Sequence, residues 1–183
     1  MVLILAVVAV LVVVALVVLV VLYNGLQRDR QLVREAWAQI DVMLARRHRL
    51  VTDLAAVAAA AAAYERKATE EVIAARAAAE SADGPARRGE AEVALDRGVA
   101  QVFAVAEAYP DLQADATFAR LQRELVQSED DVSAARRYYN GRVRRYQDRR
   151  ATFPSSVLAG PLSFGPAEYF QVERDAREAP HVT

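Results

Sequence analysis

The chain opens with an unbroken apolar run and continues with amphipathic patterns. Residues 1–22 consist only of Met, Val, Leu, Ile and Ala. As a helix, this run reaches about 33 Å, which is enough to cross a hydrocarbon core of about 30 Å. Because lipid offers no partner to open backbone groups, we expect residues 1–22 to form a transmembrane helix in spite of their many β-branched side chains.

A cleaved signal peptide and a buried core helix fit this apolar run less well than an anchor does. A signal peptide needs a basic start, a shorter apolar core and a cleavage site between small residues, and neither residues 1–6 nor residues 21–25 provide them. A buried core helix is rarely apolar on every face over about six turns. We therefore expect a retained single-pass anchor.

Beyond the anchor, three segments carry apolar residues at alternating steps of three and four, the period of an α-helix. The first, residues 23–80, has no Pro and after Gly25 no Gly; the second should cover about residues 86–108, after a Gly-Pro linker at residues 81–85. The third should run from an N-cap at Asp115 to near Phe153. The predicted core positions are Val33, Trp37, Ile40, Leu44, Arg47, Val51, Leu54, Ala58 and Ala61; Ala91, Leu95, Val99, Val102 and Val105 or Ala106; and Phe118, Leu121, Leu125, Ser128, Val132, Ala135, Tyr139, Arg142 and Tyr146.

The lengths of these segments predict a bend in the first one. An unbroken helix over residues 23–80 would leave much of the last apolar stripe without a partner. A break near Val51, Thr52 and Asp53, with Thr52 or Asp53 as a cap, gives four antiparallel segments of comparable length. We therefore predict an all-α protein, in which an N-terminal transmembrane helix is followed by an antiparallel, up-and-down four-helix bundle.

The pattern changes after the last predicted helix. Three prolines and two glycines interrupt residues 154–166, while the residues between them stay strongly apolar. We expect residues 154–170 to form an irregular segment packed on the bundle or on the membrane surface, and residues 171–183 to form a mobile tail. The predicted organisation is an anchor at 1–22, a helical bundle at 23–153, the packed segment and the tail.

Charge bears on the partner and on the orientation. With 23 basic and 24 acidic residues the net charge is −1, so no overall field favours nucleic acid. Arg28, Arg30 and Arg34 follow the anchor and favour, by the positive-inside rule, a cytoplasmic bundle with the N-terminus outside the cell membrane. The opposite orientation stays open, because no basic cluster precedes the anchor.

The end of the last predicted helix is strongly basic and is interleaved with tyrosines. In an up-and-down bundle this end returns to the membrane, so Arg142, Arg145 and Arg149 are candidates for contact with an anionic lipid surface. A solvated helix face, with its carboxylates across the groove, is the simpler alternative. The arginines concerned are Arg136, Arg137, Arg142, Arg144, Arg145, Arg149 and Arg150.

The sequence contains no catalytic or metal-binding motif that we recognise. It has no Cys, which excludes disulfides, iron–sulfur clusters and thiolate zinc sites, and its only histidines are His48 and His181. The carboxylates at residues 70–71 and 129–131 are more simply solvated faces or partners of arginines. We therefore name no catalytic, cofactor-binding or metal-binding residue, and expect no cofactor and no enzymatic activity.

Two single residues carry structural expectations. Trp37 is most simply a core residue. Asp41 falls on the side that faces the bundle, where a carboxylate needs a partner. We predict an ion pair of Asp41 with one of Arg46, Arg136 or Arg137.

Blocks of residues along the chain are similar, in order, to those of one known family. They are Tyr23-Asn24, Arg30, Val33, Ala36-Trp37, Gln39-Ile40-Asp41, Leu44, Arg46-Arg47, Ala106 to Leu112, Phe118, Leu121-Gln122, Glu124-Leu125, Glu129, Ala135-Arg136-Arg137, Tyr139-Asn140, Val143, Tyr146, Phe153-Pro154-Ser155, Phe164, Pro166 and Tyr169-Phe170. They resemble the LemA family of bacterial membrane-anchored helical proteins, over residues 1 to about 170. The resemblance implies a four-helix, up-and-down bundle on one anchor. Thr52 stands where the family usually has Pro, and Gln147 where an Asn is common.

The resemblance implies no established enzymatic activity, and one branch of the family belongs to magnetosome membranes. We therefore expect a non-enzymatic, membrane-anchored helical scaffold or membrane-organising protein of the bacterial envelope. The alternative is an accessory or regulatory subunit of a membrane-bound protease or transport complex, docking through an alanine-rich groove at residues 55–63 or through residues 164–170. The expected partners are the lipid bilayer, through residues 1–22, and an unidentified membrane protein or a second copy of the chain. Arg136, Tyr139, Asn140 and Tyr146 either hold the bundle together or present a surface.

Overall fold

A computed structural model describes residues 1–61 and 66–170, and no β-strand occurs in these two ranges. The predicted all-α class is confirmed. The predicted tail, with His181, and the end of the alanine run lie outside the described residues. The helices are α1 (Val2–Ala61), α2 (Arg66–Ser81), α3 (Pro85–Ala106), α4 (Pro110–Gln113), α5 (Ala116–Ala151) and α6 (Ser155–Ala159).

The described chain divides into two compact units. The anchor unit consists of Met1–Trp37 and Asn140–Ala167, and the bundle unit consists of Ala38–Tyr139 with residues 168–170. The helices α1 and α5 each supply residues to both units.

The bundle unit has an apolar core to which all of its helices contribute. Its chain runs up and down, because residues 52–59 of α1 share a groove with residues 69–73 of α2, while residues 41–49 share a cleft with residues 76–80. Phe103 of α3 meets Phe118 of α5 edge to face at 5.9 Å. The predicted four-helix bundle is thus confirmed. The core residues include Val51, Leu54, Ala55, Ala58, Val72, Leu95, Val99, Val102, Leu112, Phe118, Leu121 and Leu125.

The predicted break near Thr52 is wrong, because α1 continues through Val51 and Asp53 to Ala61. The hydroxyl of Thr52 donates to the carbonyl of His48 at 3.0 Å. This bond points back to the preceding turn of the same helix, so Thr52 does not cap a new one. The antiparallel partner begins only at Arg66.

The connection from α2 to α3 follows the predicted linker. Gly84 has φ 85°, in the left-handed region that favours glycine, and Pro85 opens α3. Further along α3, Gly98 faces Val72 of α2 so closely that a Cβ at residue 98 would lie 3.2 Å from the Cα of Val72. Glycine therefore permits the close approach of the two helices.

The start of α5 and most of its buried face agree with the sequence pattern. The backbone N–H of Phe118 donates to the Asp115 carboxylate at 2.9 Å, which confirms Asp115 as the N-cap. The short helix α4 between α3 and α5 was not predicted. Along α5 the buried positions are Phe118, Leu121, Leu125, Ser128, Val132, Tyr139, Val143 and Tyr146.

In the anchor unit, the first part of α1 is exposed and apolar. Its most apolar window of 18 residues has a mean hydropathy of 3.7 and no burial, so length and composition suffice for a membrane span. Beyond this run, the ring of Tyr23 packs edge-on against buried Phe164 at 5.7 Å, and the guanidinium of Arg30 lies 5.9 Å from the same ring. These contacts attach the segment after α6 to α1.

Candidate functional site

In the part of the chain that the structure describes, carboxylates pair with arginines rather than form a metal site. Within residues 1–61 and 66–170, no group of three or more His, Cys, Asp or Glu side chains is placed to hold a metal ion. Of the carboxylates that the sequence marks as clusters, Glu70 and Glu71 are exposed on α2. Glu129 instead contacts an arginine inside the bundle unit.

The bundle unit holds a set of ionisable side chains around buried Arg47, here called the Arg47 cluster: Arg47, His48, Glu92, Asp96 and Glu129. The Nη1 of Arg47 donates to Oε2 of Glu92 at 3.3 Å. Its Nη2 donates to Oε2 of Glu129 at 3.3 Å and to Asp96. The Arg47 side chain is only 5% exposed, and its burial is tolerated because carboxylates from α3 and α5 accept hydrogen bonds from Nη1 and Nη2.

Within this cluster, Glu92 links His48 to Arg47. One of its oxygens, Oε1, lies 2.7 Å from Nε2 of His48, while the other accepts from Arg47. Both His48 and Glu92 are buried. Because each oxygen of Glu92 has a partner, the carboxylate holds α1 and α3 in one register.

A polar cleft of about 360 Å³ opens beside the Arg47 cluster, between α1, α2 and α3. The ion pair predicted for Asp41 is present in it, but the partner found is Arg88 of α3, which was not among the arginines proposed. Arg46 pairs instead with Asp131 at 3.3 Å. The cleft thus joins helices through charge pairs. Its lining includes Asp41, Leu44, Ala45, His48, Arg49, Arg76, Glu80 and Arg88.

In the anchor unit, the basic end of α5 is bound by α1. Arg149 donates to the carbonyl of Gly25 at 2.7 Å, and its Nε lies 3.2 Å from buried Asp29. Arg145 approaches the same carboxylate at 3.9 Å but keeps its side chain 64% exposed. A carboxylate across the groove therefore exists, and contact of these arginines with lipid stays a prediction.

Side chains of α5 also bind the backbone of the segment that follows α6 in the anchor unit. These bonds satisfy carbonyl groups that no helix satisfies. They fix the segment along α5, so Tyr146 holds the fold together rather than presenting a free surface. Arg150 donates to the Phe164 carbonyl at 2.8 Å, Tyr146 to that of Gly165 at 2.7 Å, and Gln147 to that of Ala167 at 2.9 Å.

Tyr139 makes an equivalent bond in the bundle unit, where its hydroxyl donates to the carbonyl of Glu168 at 2.7 Å. Burial, and secondarily the Glu168 carboxylate, raises the pKa of Tyr139 to about 12. Burial also raises the pKa of Tyr146. Both phenols are therefore neutral hydrogen-bond donors at neutral pH, and their role is structural.

Exposed apolar side chains of the anchor unit occur in two parts of its sequence. The first is the apolar run of α1. The second is Phe153, Val157 and Leu162, with 78%, 63% and 39% exposure. Trp37, expected in the core, is only partly buried.

Sequence reasoning missed the Arg47 cluster, although signals for it exist. Arg47 stands on the apolar stripe of α1, and Glu92 and Asp96 are one turn apart beside buried Leu95. A cation on one buried stripe and two carboxylates on another predict that they pair.

Comparison with known proteins adds a family and two relatives. The sequence model of the LemA family matches residues 36–183. Magnetosome proteins MamQ 1 and MamQ 2 of Paramagnetospirillum magneticum (strain ATCC 700264 / AMB-1) are each 32% identical over 99 residues. The match covers 52% of this chain and 36% of each relative, so it spans about a third of the relatives' length. Together with the exposed apolar helix, these matches indicate a membrane-associated protein.

Proposed function

The chain belongs to the LemA family, and we propose that it acts as a non-enzymatic, membrane-anchored helical scaffold that organises proteins or lipid at the bacterial envelope. The observation that carries this proposal is α1. One uninterrupted helix supplies the exposed apolar run and buried residues of both units. A helix that combines an exposed apolar run with residues buried in a folded domain can attach that domain to a bilayer.

The charged groups of the described chain support a structural role. Arg47, His48 and Glu92 are buried and engage one another, as the tyrosines of α5 engage backbone carbonyls. A catalytic base or nucleophile needs a free lone pair beside a substrate site, whereas these groups use theirs in helix contacts. The matched relatives are named magnetosome proteins.

An accessory subunit of a membrane-bound protease or transport complex is the second candidate. It is favoured by an apolar groove of about 350 Å³ between α1 and α2, which small side chains leave open. Ala55, Ala56, Ala59 and Ile73 line this groove, and a partner helix would approach closely there.

Purification separates the two candidates. The full chain, tagged and produced at its native level, is extracted in a mild detergent and analysed by light scattering and mass spectrometry. A scaffold should give self-assembly into particles of the chain and lipid. A protease or transporter in a fixed ratio would contradict the scaffold and support the accessory subunit, and turnover of a substrate by the purified chain alone would contradict both.

We propose that the anchor lies in the cell (inner) membrane, with the bundle in the cytoplasm and the N-terminus outside. The arginines after the anchor favour this orientation. The chain has no Cys, so a single Glu35→Cys variant gives one reactive site on the exposed face of α1. A membrane-impermeant maleimide should leave this thiol unlabelled in intact spheroplasts and label it after lysis. Labelling before lysis would reverse the orientation.

A further inference from the structure

We propose that Phe153, Val157 and Leu162, here called the apolar foot, insert into the headgroup region of the bilayer that α1 crosses. This inference rests on the proposed membrane anchor. It adds a second, monotopic contact between the anchor unit and the membrane.

Exposure shows that the apolar foot lacks a partner within the described chain. Phe153 is 78% exposed and Val157 63%, and both belong to one short segment around α6. A single exposed apolar residue is ordinary on a protein surface, but a bulky group of them marks a contact surface.

The register of α1 against α5 brings the apolar foot near the level of the bilayer. Arg149 contacts both Gly25 and Asp29, while Arg145 reaches only towards Asp29, so the two helices are antiparallel in the anchor unit. Gly25 lies three residues, or about 4.5 Å, beyond the last residue of the apolar run. From Arg149, α5 continues towards that run as far as Ala151, and Phe153 follows two residues later, so Phe153 lies near the level at which the run ends.

The anchor unit also carries, after the apolar run and on α5, residues that are typical of a membrane interface. Tyr23 is 37% exposed beside Phe164, and Arg145 is exposed on α5. Tyrosine and arginine favour the headgroup level, where a ring or a stem is apolar and the tip is wet. The exposed apolar surface of α1 itself requires lipid. We therefore assign the apolar foot to the same bilayer rather than to a second protein.

Spin labels on the full chain test this inference. A nitroxide is attached to single cysteines at Val157→Cys and Leu162→Cys, in vesicles of phosphatidylcholine. Collision with oxygen, which concentrates in lipid, is compared with collision with a water-soluble nickel chelate. Leu16→Cys in the apolar run and Glu35→Cys on the polar face of α1 are the reference sites.

The oxygen-to-nickel ratio at residues 157 and 162 should exceed that at residue 35 severalfold and approach that at residue 16. Ratios equal to that at residue 35 would overturn the apolar foot. So would immobilised labels that broaden one another's spectra while shielded from both reagents, since these report contact between copies. A water-like ratio at residue 16 would instead contradict the anchor and the proposed function. Two label positions protect the test against one variant that does not fold.

Discussion

Arg47 illustrates a residue whose contribution depends on its whole set of partners. Its side chain is 5% exposed and pairs with Glu92, Asp96 and Glu129. Removing the cation leaves the buried Glu92 carboxylate without its main compensating charge, and losing one partner of a buried ion pair costs about 3–5 kcal/mol. The variant Arg47→Met should lower the free energy of unfolding by about that amount, measured by circular dichroism during urea unfolding of the full chain in detergent.

Arg46→Met is the matched control for this prediction. Arg46 is the preceding residue of the same helix and pairs with Asp131, but its side chain is 47% exposed. Exposed ion pairs contribute about 0–1 kcal/mol, so this variant should be close to the parent. Equal losses for the two variants would show that the Arg47 cluster has no special role.

The raised pKa of Tyr139 predicts a loss of stability in alkali. The folded value is about 12 and the ordinary value is 10.0, so the unfolded state releases the phenolic proton first. The stabilisation is therefore complete below pH 10 and is lost as the pH rises towards 12. The free energy of unfolding of the parent minus that of Tyr139→Phe should fall across this window. A difference that stays constant with pH would mean that Tyr139 titrates normally.

At the residue scale, periodicity and caps were predictable, but pairing was not. The Asp115 cap needs only local sequence, and it was found. The expectation that Asp41 pairs with a cation is confirmed although its side chain is 43% exposed, but its partner Arg88 lies 47 positions away on α3. Choosing it requires the register between two helices that are not consecutive, and a one-dimensional pattern does not contain that register.

At the scale of elements, α1 shows how a length argument can place a break wrongly. The reasoning that residues 23–80 must fold back was correct, because α2 packs antiparallel to α1. The position was wrong because Thr52 is a weak helix former that can still bond to its own helix, as it does to His48. The alanine run keeps the helix intact to Ala61, since alanine is the strongest helix former.

The contact between α2 and α3 gives a prediction for an element. At Gly98 a Cβ would meet the backbone of Val72 at 3.2 Å, so Gly98→Leu should force the helices apart and lower stability by about 1–3 kcal/mol. Gly141→Leu is the control, because Gly141 of α5 has open space around it and leucine improves helix propensity there. Thermal unfolding of both variants measures the contrast. A Gly98→Leu protein as stable as Gly141→Leu would contradict the close approach.

At the scale of the whole molecule, the near-neutral net charge does not show that the arginines have different structural roles. Of the basic residues, Arg47 and Arg149 form ion pairs with buried carboxylates, while others such as Arg144 remain exposed. The overall composition therefore provides no positive field that would favour nucleic acid, but it does not reveal which arginines are structural. The fold is needed to distinguish structural arginines from exposed ones. Only a subset of the seven arginines at the basic end of α5 is available for contact with lipid.

The anchoring role of α1 gives the last prediction. Leu11 and Val14 are exposed in the middle of the apolar run, and an arginine at the centre of a membrane span costs about 2.5–3.5 kcal/mol. The double variant Leu11→Arg with Val14→Arg should therefore shift the chain from the membrane pellet to the soluble fraction after alkaline carbonate extraction, whereas Gln27→Arg with Gln31→Arg, beyond the run, should leave it in the pellet. If the first variant stayed in the pellet, α1 would not be the element that holds the chain on the membrane, and the scaffold and the apolar foot would both lose their premise.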